Sequence, residues 1–245
     1  MISISVKTDF DNAIRKLDFG VRRQVPFAIK NTLNNLAQHV KTDVVNEMRN
    51  KFDRPTPFTL NSLFIKYATK QSLTALVYVK DKELFKSRPF NEQLAHEFSG
   101  GQRIRKRLEF WFQRAGYISS NEYLVPGEAA QLDAFGNVSR GQIQKILSQL
   151  RAGPDVYAYK SNSRRSRAKR INVEYFWSRG GRLKRGVWAR YRLGFGSAVK
   201  PILIVVGHAG YVRRIDLERI GNARINREIK DRFAIELQKA IASAR

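Results

Sequence analysis

The chain of 245 residues contains no cysteine. This absence excludes disulfide bonds, thiolate metal ligands and a cysteine nucleophile, and it is consistent with a reducing compartment. Its three histidines, His39, His96 and His208, are far apart in the sequence. Isolated imidazoles of this kind are more often structural or solvated than metal ligands. Glu97 follows His96, but no second histidine lies at the spacing of a zinc-protease helix. We therefore predict no metal site and no cofactor.

Long apolar runs are also missing. The longest strongly apolar stretch, Pro201–Val206, is far too short to span a bilayer. The first residues, Met1–Lys7, lack the apolar segment of a signal peptide. We therefore expect a protein that is made in the cytoplasm and has no membrane partner.

Recognisable catalytic motifs are absent as well. The sequence has no Gly-x-Ser-x-Gly and no phosphate-binding Gly-x-x-x-x-Gly-Lys-Ser/Thr. Gly194–Ala198 resembles a nucleophile elbow but lacks the second flanking glycine. A metal-dependent nuclease would need converging carboxylates. Asp81, Glu83 and Glu174 lie near expected strand ends, but they form no recognisable pattern with a lysine. We predict no catalytic residues and no small-molecule substrate, and a nuclease stays the weakest alternative.

Acidic residues are scarce relative to basic ones: 46 Lys and Arg stand against 21 Asp and Glu, a net charge of +25. Such an excess opposes compaction and favours a polyanionic or acidic partner. Twelve cations and a single acid, Glu174, lie between Lys160 and Arg192, and a second basic cluster follows Gly100–Gly101. The candidate nucleic-acid-binding or partner-binding residues are Arg103, Arg105, Lys106, Arg107, Lys160, Arg164, Arg165, Arg167, Lys169, Arg170, Arg182, Lys184 and Arg185.

Aromatic residues are interleaved with these cations, as in Tyr175–Trp177 and at Trp188 and Tyr191. Aromatic faces can stack on unpaired bases. In strands, however, alternate aromatic side chains commonly face a core, and we expect this for most of them. No zinc finger or RNA-recognition motif is present, so base-specific readout is not predicted.

The periodicity predicts an α+β fold, in which an antiparallel sheet is flanked by long N- and C-terminal helices. Helical spacing covers residues 8–51, with a predicted break near Gly20 and Pro26, and it returns from Asp216 to the end. A hairpin is predicted around residues 63–79, and three strands are predicted after residue 172. We assign residues 1–98 and 172–245 to one core, and residues 99–171 to a partly helical, basic central insertion.

Several segments, spread over most of the chain, have a structural rather than a catalytic character. They are Asn46–Arg49, Phe52–Leu63, Gly100–Arg103, Val125–Gly127, Leu132–Ile143, Gly186–Arg190 and the closing basic helix. Together they resemble the minor tail proteins and tail-completion (head–tail joining) proteins of tailed bacteriophages, akin to the minor tail protein Z group.

The resemblance implies a virion structural protein, a subunit of a homo-oligomeric ring at the neck or upper tail near the DNA channel. Its partners would be other virion proteins (portal, adaptor, tail-tube or collar subunits), with possible contact to genomic DNA. The basic segments 99–107 and 160–171 are expected to become ordered on assembly. The alternative is a non-catalytic accessory protein that binds nucleic acid without sequence preference.

Overall fold

A computed structural model describes the backbone of residues 3–6, 19–79, 90–154 and 173–243. The chain divides into two compact units, here called the terminal unit (Met1–Gly101 with Tyr211–Arg245) and the middle unit (Gln102–Gly210). The predicted α+β class, with long N- and C-terminal helices and antiparallel strands, is confirmed. The antiparallel strands belong to separate sheets rather than to one.

The terminal unit contains a three-stranded antiparallel sheet and two long helices. The sheet has the order β1-β3-β2, and β1 pairs with β3 from Ser3↔Tyr78 to Val6↔Ala75. The elements are β1 (Ser3–Val6), α1 (Phe19–Lys51), the short α2 (Pro57–Leu60), β2 (Leu63–Lys66), β3 (Ala75–Val79), α3 (Phe90–Ser99) and, after the middle unit, α6 (Leu217–Ala242).

The predicted break at Pro26 is wrong, because α1 runs without interruption from Phe19 to Lys51. An interior proline removes one hydrogen bond and destabilises a helix by about 3 kcal/mol. Val25 and Ala28, on either side of Pro26, are completely buried. Burying an aliphatic side chain contributes about 1.5–3 kcal/mol, so packing offsets the loss. Residues 8–18 of the predicted first helix lie outside the described residues.

An apolar stripe of α1 forms the core of the terminal unit. Leu33, Val40 and Met48 are buried and pack with residues of β2, β3 and the start of α6. Helix α6 lies against α1, and its first turn is capped by Asp216, whose Oδ1 accepts the Arg219 N–H at 2.9 Å. None of the described helices combines the length and the hydropathy that crossing a membrane requires.

The middle unit is a four-stranded antiparallel sheet with helices on one face. The strand order is β5-β8-β7-β6. Phe112 of α4 and Ile146 of α5 are fully buried against Val187, Ala189 and neighbouring sheet residues. The elements of the middle unit are α4 (Arg107–Arg114), β5 (Tyr123–Pro126), α5 (Arg140–Gln149), β6 (Val173–Ser178), β7 (Gly186–Leu193) and β8 (Gly196–Val206). The two-residue strands β4 (Gly101–Gln102) and β9 (Gly210–Tyr211), which pair with each other, each have one residue in either unit.

The units divide the chain at different positions from the predicted insertion. Residues 172–210 were assigned to the core with the chain termini, yet the structure places Val173–Val206 with α4 and α5 in the middle unit. The physical reason is that β5, which precedes the basic segment, pairs with β8, from Tyr123↔Val206 to Pro126↔Leu203. The local periodicity of hydrophobic residues does not show which strands pair when they are so far apart in the sequence.

Candidate interaction surface

The basic cluster at residues 103–107 is split by the structure into paired and exposed cations. Arg103 is buried and its guanidinium lies against Glu109, with Nη1 donating to Oε2 at 2.9 Å. The same carboxylate accepts the backbone N–H groups of Lys106 at 2.6 Å and Leu124 at 2.8 Å. Arg103 therefore ties the start of α4 to β5. We expected residues 99–107 to become ordered only on assembly, but in the single chain Arg103 and Lys106 already form these contacts.

The electrostatics of Glu109 follow from these contacts. Burial opposes ionisation of its carboxyl group, but hydrogen bonds from Arg103 and from the Leu124 and Lys106 backbone outweigh burial and hold the pKa below its ordinary value. The Glu109 carboxylate is therefore ionised, and it accepts hydrogen bonds from Arg103 and from the backbone N–H groups of Lys106 and Leu124. It fixes local structure and has no free surface for a partner.

The other cations of this cluster have different surroundings. Arg105 is half-buried, donates from Nη2 to the Ser119 carbonyl at 3.1 Å and contacts Gln113. Lys106 and Arg107 are exposed at the N-terminus of α4. Of the four predicted residues, two thus hold the middle unit together and two face solvent.

The second predicted group lies in the loop between β6 and β7. Arg182 and Lys184 are exposed, whereas Arg185 pairs with Glu122 and donates to the Tyr117 carbonyl at 2.9 Å. The loop turns at Gly180 and Gly181, whose φ values of 114° and 101° are accessible mainly to glycine. It presents exposed cations at one end of the sheet.

Six further predicted residues lie outside the described residues. They belong to the segment of six cations without an acid, and their role stays a prediction: Lys160, Arg164, Arg165, Arg167, Lys169 and Arg170.

The prediction that most interleaved aromatics face a core is confirmed for the described ones. Tyr175 is buried, and Trp177 and Tyr191 are partly buried in the middle-unit core. Trp188 is also buried, and its indole N–H donates to the Lys184 carbonyl at 2.8 Å. Phe176 pairs with Trp188, so these two side chains share the face of the sheet opposite to that of Tyr175 and Trp177. These rings are not a free stacking platform.

Sequence reasoning missed the most exposed apolar feature, the tip of the hairpin formed by β7 and β8. The strands pair as far as Leu193↔Gly196, and the loop consists of Gly194 and Phe195. The Phe195 side chain is 95% exposed and Leu193 is 51% exposed. Two alternating strands joined by a short glycine-containing loop are a hairpin signal, so this tip could have been recognised from the sequence.

A second ordered apolar projection precedes α5. Leu132 bridges to Val138, and Asp133 Oδ1 accepts the N–H groups of Phe135 and Asn137, both at 2.9 Å. Leu132 is 47% exposed and Phe135 is 41% exposed. The loop therefore presents two apolar side chains from a fixed backbone.

The histidines and remaining carboxylates do not converge. His39 Nδ1 contacts Glu228 at 2.7 Å, and His208 contacts Gln102 at 3.0 Å. Glu174, a nuclease candidate, pairs with Arg190, while Asp81 and Glu83 lie outside the described residues. Across the described ranges, no three His, Asp or Glu side chains are placed to hold a metal ion.

Comparisons with protein-family models, with curated proteins and with solved structures find no match for this chain.

Proposed function

We propose that the protein is a non-catalytic structural component of a tailed-phage virion. In this proposal it acts in tail completion or head–tail joining, as a subunit of a homo-oligomeric ring at the head–tail junction or upper tail, close to the DNA channel. The main support for the proposal is the segment from Tyr175 to Ile215, which contains nine Lys and Arg and no Asp or Glu. This acid-free segment includes the exposed β7–β8 hairpin.

The charge distribution supports a polyanionic or acidic neighbour. Glu174 and Asp216 are the acids that bracket the acid-free segment. A positive field that no nearby acid cancels raises the local concentration of an anionic partner and weakens with salt. DNA passing through a ring, or the acidic face of an adjacent virion protein, would supply that negative charge.

The loop Leu132–Val138 supports contact with a neighbouring subunit. Exposed apolar side chains on a backbone that is already ordered bind with little loss of conformational entropy. Leu132 and Phe135 are of this kind. In the proposed ring, this loop packs against an adjacent subunit, while the hairpin faces the polyanion.

The proposal is tested by removing the gene from the phage or prophage that carries it. DNA-filled heads and separate tails should then accumulate, and supplying the protein in trans should restore joined particles. Normal yields of infectious, fully joined particles without the protein would overturn the proposal.

A pair of matched variants tests the assembly surface within that experiment. Leu132→Ser combined with Phe135→Ser should supply soluble protein that fails to enter particles. Phe58→Ser removes an equally exposed phenylalanine from the terminal unit and should enter them normally. Equal incorporation of both variants would contradict a role for the Leu132–Val138 loop.

A second candidate function is sequence-indifferent binding of nucleic acid outside the virion. The same acid-free segment favours it, because phosphate contacts from Lys and Arg supply most non-specific affinity. It predicts DNA affinity that falls steeply with salt, together with absence of the protein from purified particles. Presence of the protein at a fixed copy number in virions would count against this candidate.

A further inference from the structure

We propose that the β7–β8 hairpin is a DNA-bending arm, which inserts Phe195 and Leu193 as an apolar wedge between base pairs of duplex DNA while basic side chains behind the tip contact phosphates. The inference rests on the proposed function in taking genomic DNA as the partner. Its test uses purified protein and DNA, so it can fail while the protein remains a virion component.

The hairpin continues beyond the described pairs with its neighbouring strands. The last described pair of β7 with β6 is Val173↔Tyr191, and β5 pairs with β8 only as far as Pro126↔Leu203, whereas β7 and β8 pair on through Arg192↔Ser197 and Leu193↔Gly196. At about 3.3 Å per residue, the tip lies roughly 10 Å past the last described pair with β6. Both grooves of B-DNA are about 8 Å deep, and strands of DNA-binding proteins enter either the major or the minor groove. The arm is long enough to bring its tip to the bases.

The tip has the chemistry of a wedge. Phe195 is 95% exposed, between two glycines, and Leu193 is the next apolar side chain along the arm. Neither packs in the core of the middle unit. Proteins that bend DNA commonly insert phenylalanine or leucine between base steps, which unstacks them and kinks the duplex by about 20–90°.

The cations of the arm match the phosphates on either side of a groove. Arg192 and Lys200 are exposed and form no ion pair with any residue in the described ranges. Because side chains alternate along a strand, the pairs Arg192↔Ser197 and Ala189↔Lys200 place these two cations on opposite faces of the ribbon. A ribbon entering a groove would therefore have one cation toward each sugar–phosphate wall.

A neighbouring protein could also accept an exposed phenylalanine, but the surroundings favour DNA. Arg190 pairs with Glu174 at 3.1 Å. Residues 191–200, which include the tip and Lys200 just behind the root of the arm, have two cations and no acid. The same arm of a second copy would bring like charges to this tip and would be repelled there. A protein contact is therefore treated as the competing outcome of the test.

The decisive experiment measures bending of an end-labelled duplex of about 30 base pairs by energy transfer between the labels. The wild-type protein should raise the transfer efficiency on binding. Phe195→Ala should bind without raising it, and its affinity should fall about fivefold or more, since one aromatic stacking contact contributes at least that factor. Phe195→Trp should retain bending, and its indole fluorescence should be quenched by stacking. Phe110→Ala, which removes another exposed phenylalanine of the same unit, should behave like the wild type.

Charge variants test the phosphate contacts. Arg192→Gln with Lys200→Gln should lower the slope of log affinity against log salt by about 2, the value for two lost phosphate contacts. The control variant, Arg179→Gln with Arg182→Gln, removes two positive charges from the loop at the other end of β7. It should lower the slope of log affinity against log salt by less than the first variant does.

Three results would overturn the proposal. One is a wild-type complex in which the duplex stays straight. Another is undiminished bending by Phe195→Ala. A third is an equal fall in salt slope for the two charge variants. If Phe195→Ala instead changes self-association, measured by sedimentation, while bending is kept, the tip is a protein contact. Each variant is first checked for a wild-type unfolding midpoint.

Discussion

The ion pair between Arg103 and Glu109 gives the sharpest stability prediction for the middle unit. The Glu109 side chain is 1% exposed and accepts hydrogen bonds from Arg103 and from the backbone of Lys106 and Leu124. Glu109→Gln keeps the size of the side chain but leaves the buried guanidinium without a counter-charge. Removing one partner of a buried pair destabilises a protein by about 3–5 kcal/mol.

The size of the effect can be read from urea unfolding followed by tryptophan fluorescence. Trp111, Trp177 and Trp188 are the only tryptophans of the chain, and all lie in the middle unit. For a unit of this size, a slope of about 1.5 kcal/mol per molar urea turns a loss of 3 kcal/mol into a midpoint lower by about 2 M.

A matched control separates burial from charge. Glu122→Gln makes the same substitution in a pair whose arginine, Arg185, is 39% exposed, and should lose only about 1 kcal/mol. Replacing Arg103 and Glu109 together with Met and Leu should recover much of the stability, since no buried charge remains. If Glu109→Gln shifts the midpoint no more than Glu122→Gln does, the reasoning is refuted.

Two further predictions concern other parts of the chain. Gly186→Ala should prevent correct pairing of β7 with β8, because a Cβ there would lie 2.1 Å from the Leu203 carbonyl oxygen at a φ of 152°. The expected loss of several kcal/mol is measured by the same fluorescence transition, and a midpoint within 0.3 M of wild type, about 0.5 kcal/mol, would contradict it. In the terminal unit, the hydrogen bond with His39 and the contact with Arg224 lower the pKa of Glu228 to about 2. The ordinary pKa of a glutamate is 4.5. The ionised Glu228 therefore stabilises the folded protein fully above pH 4.5, and this stabilisation is lost as the pH falls toward 2. Glu228→Gln should flatten the fall in Tm over this range, as measured by circular dichroism, and an unchanged pH dependence would count against the network.

Local signals in the sequence accounted for most of the secondary structure. The stripe of α1 and the Ser139 N-cap of α5, whose Oγ accepts the Gln142 N–H at 3.3 Å, were predictable because they depend on neighbours within one turn. Ser139 and Gln142 have the spacing of a capping box, but only the half supplied by Ser139 forms. Gln142 instead accepts the Gln131 N–H and contacts Tyr175, partners 11 and 33 residues away.

Features that depend on long-range pairing could not be predicted in this way. Strand β1 pairs with β3 across about 70 residues, and β5 pairs with β8, which moves the boundary of the middle unit. A charge count also cannot distinguish Arg103, which is buried against Glu109, from the exposed Arg107. Both are arginines of one basic cluster, and only the folded backbone separates their roles.

The most direct test of the central proposal is quantitative mass spectrometry of purified particles from the phage or prophage that encodes this protein. We predict that each particle contains a small, fixed number of copies of the protein. These copies should remain bound after nuclease treatment and a high-salt wash. Absence from particles that are complete and infectious would contradict it.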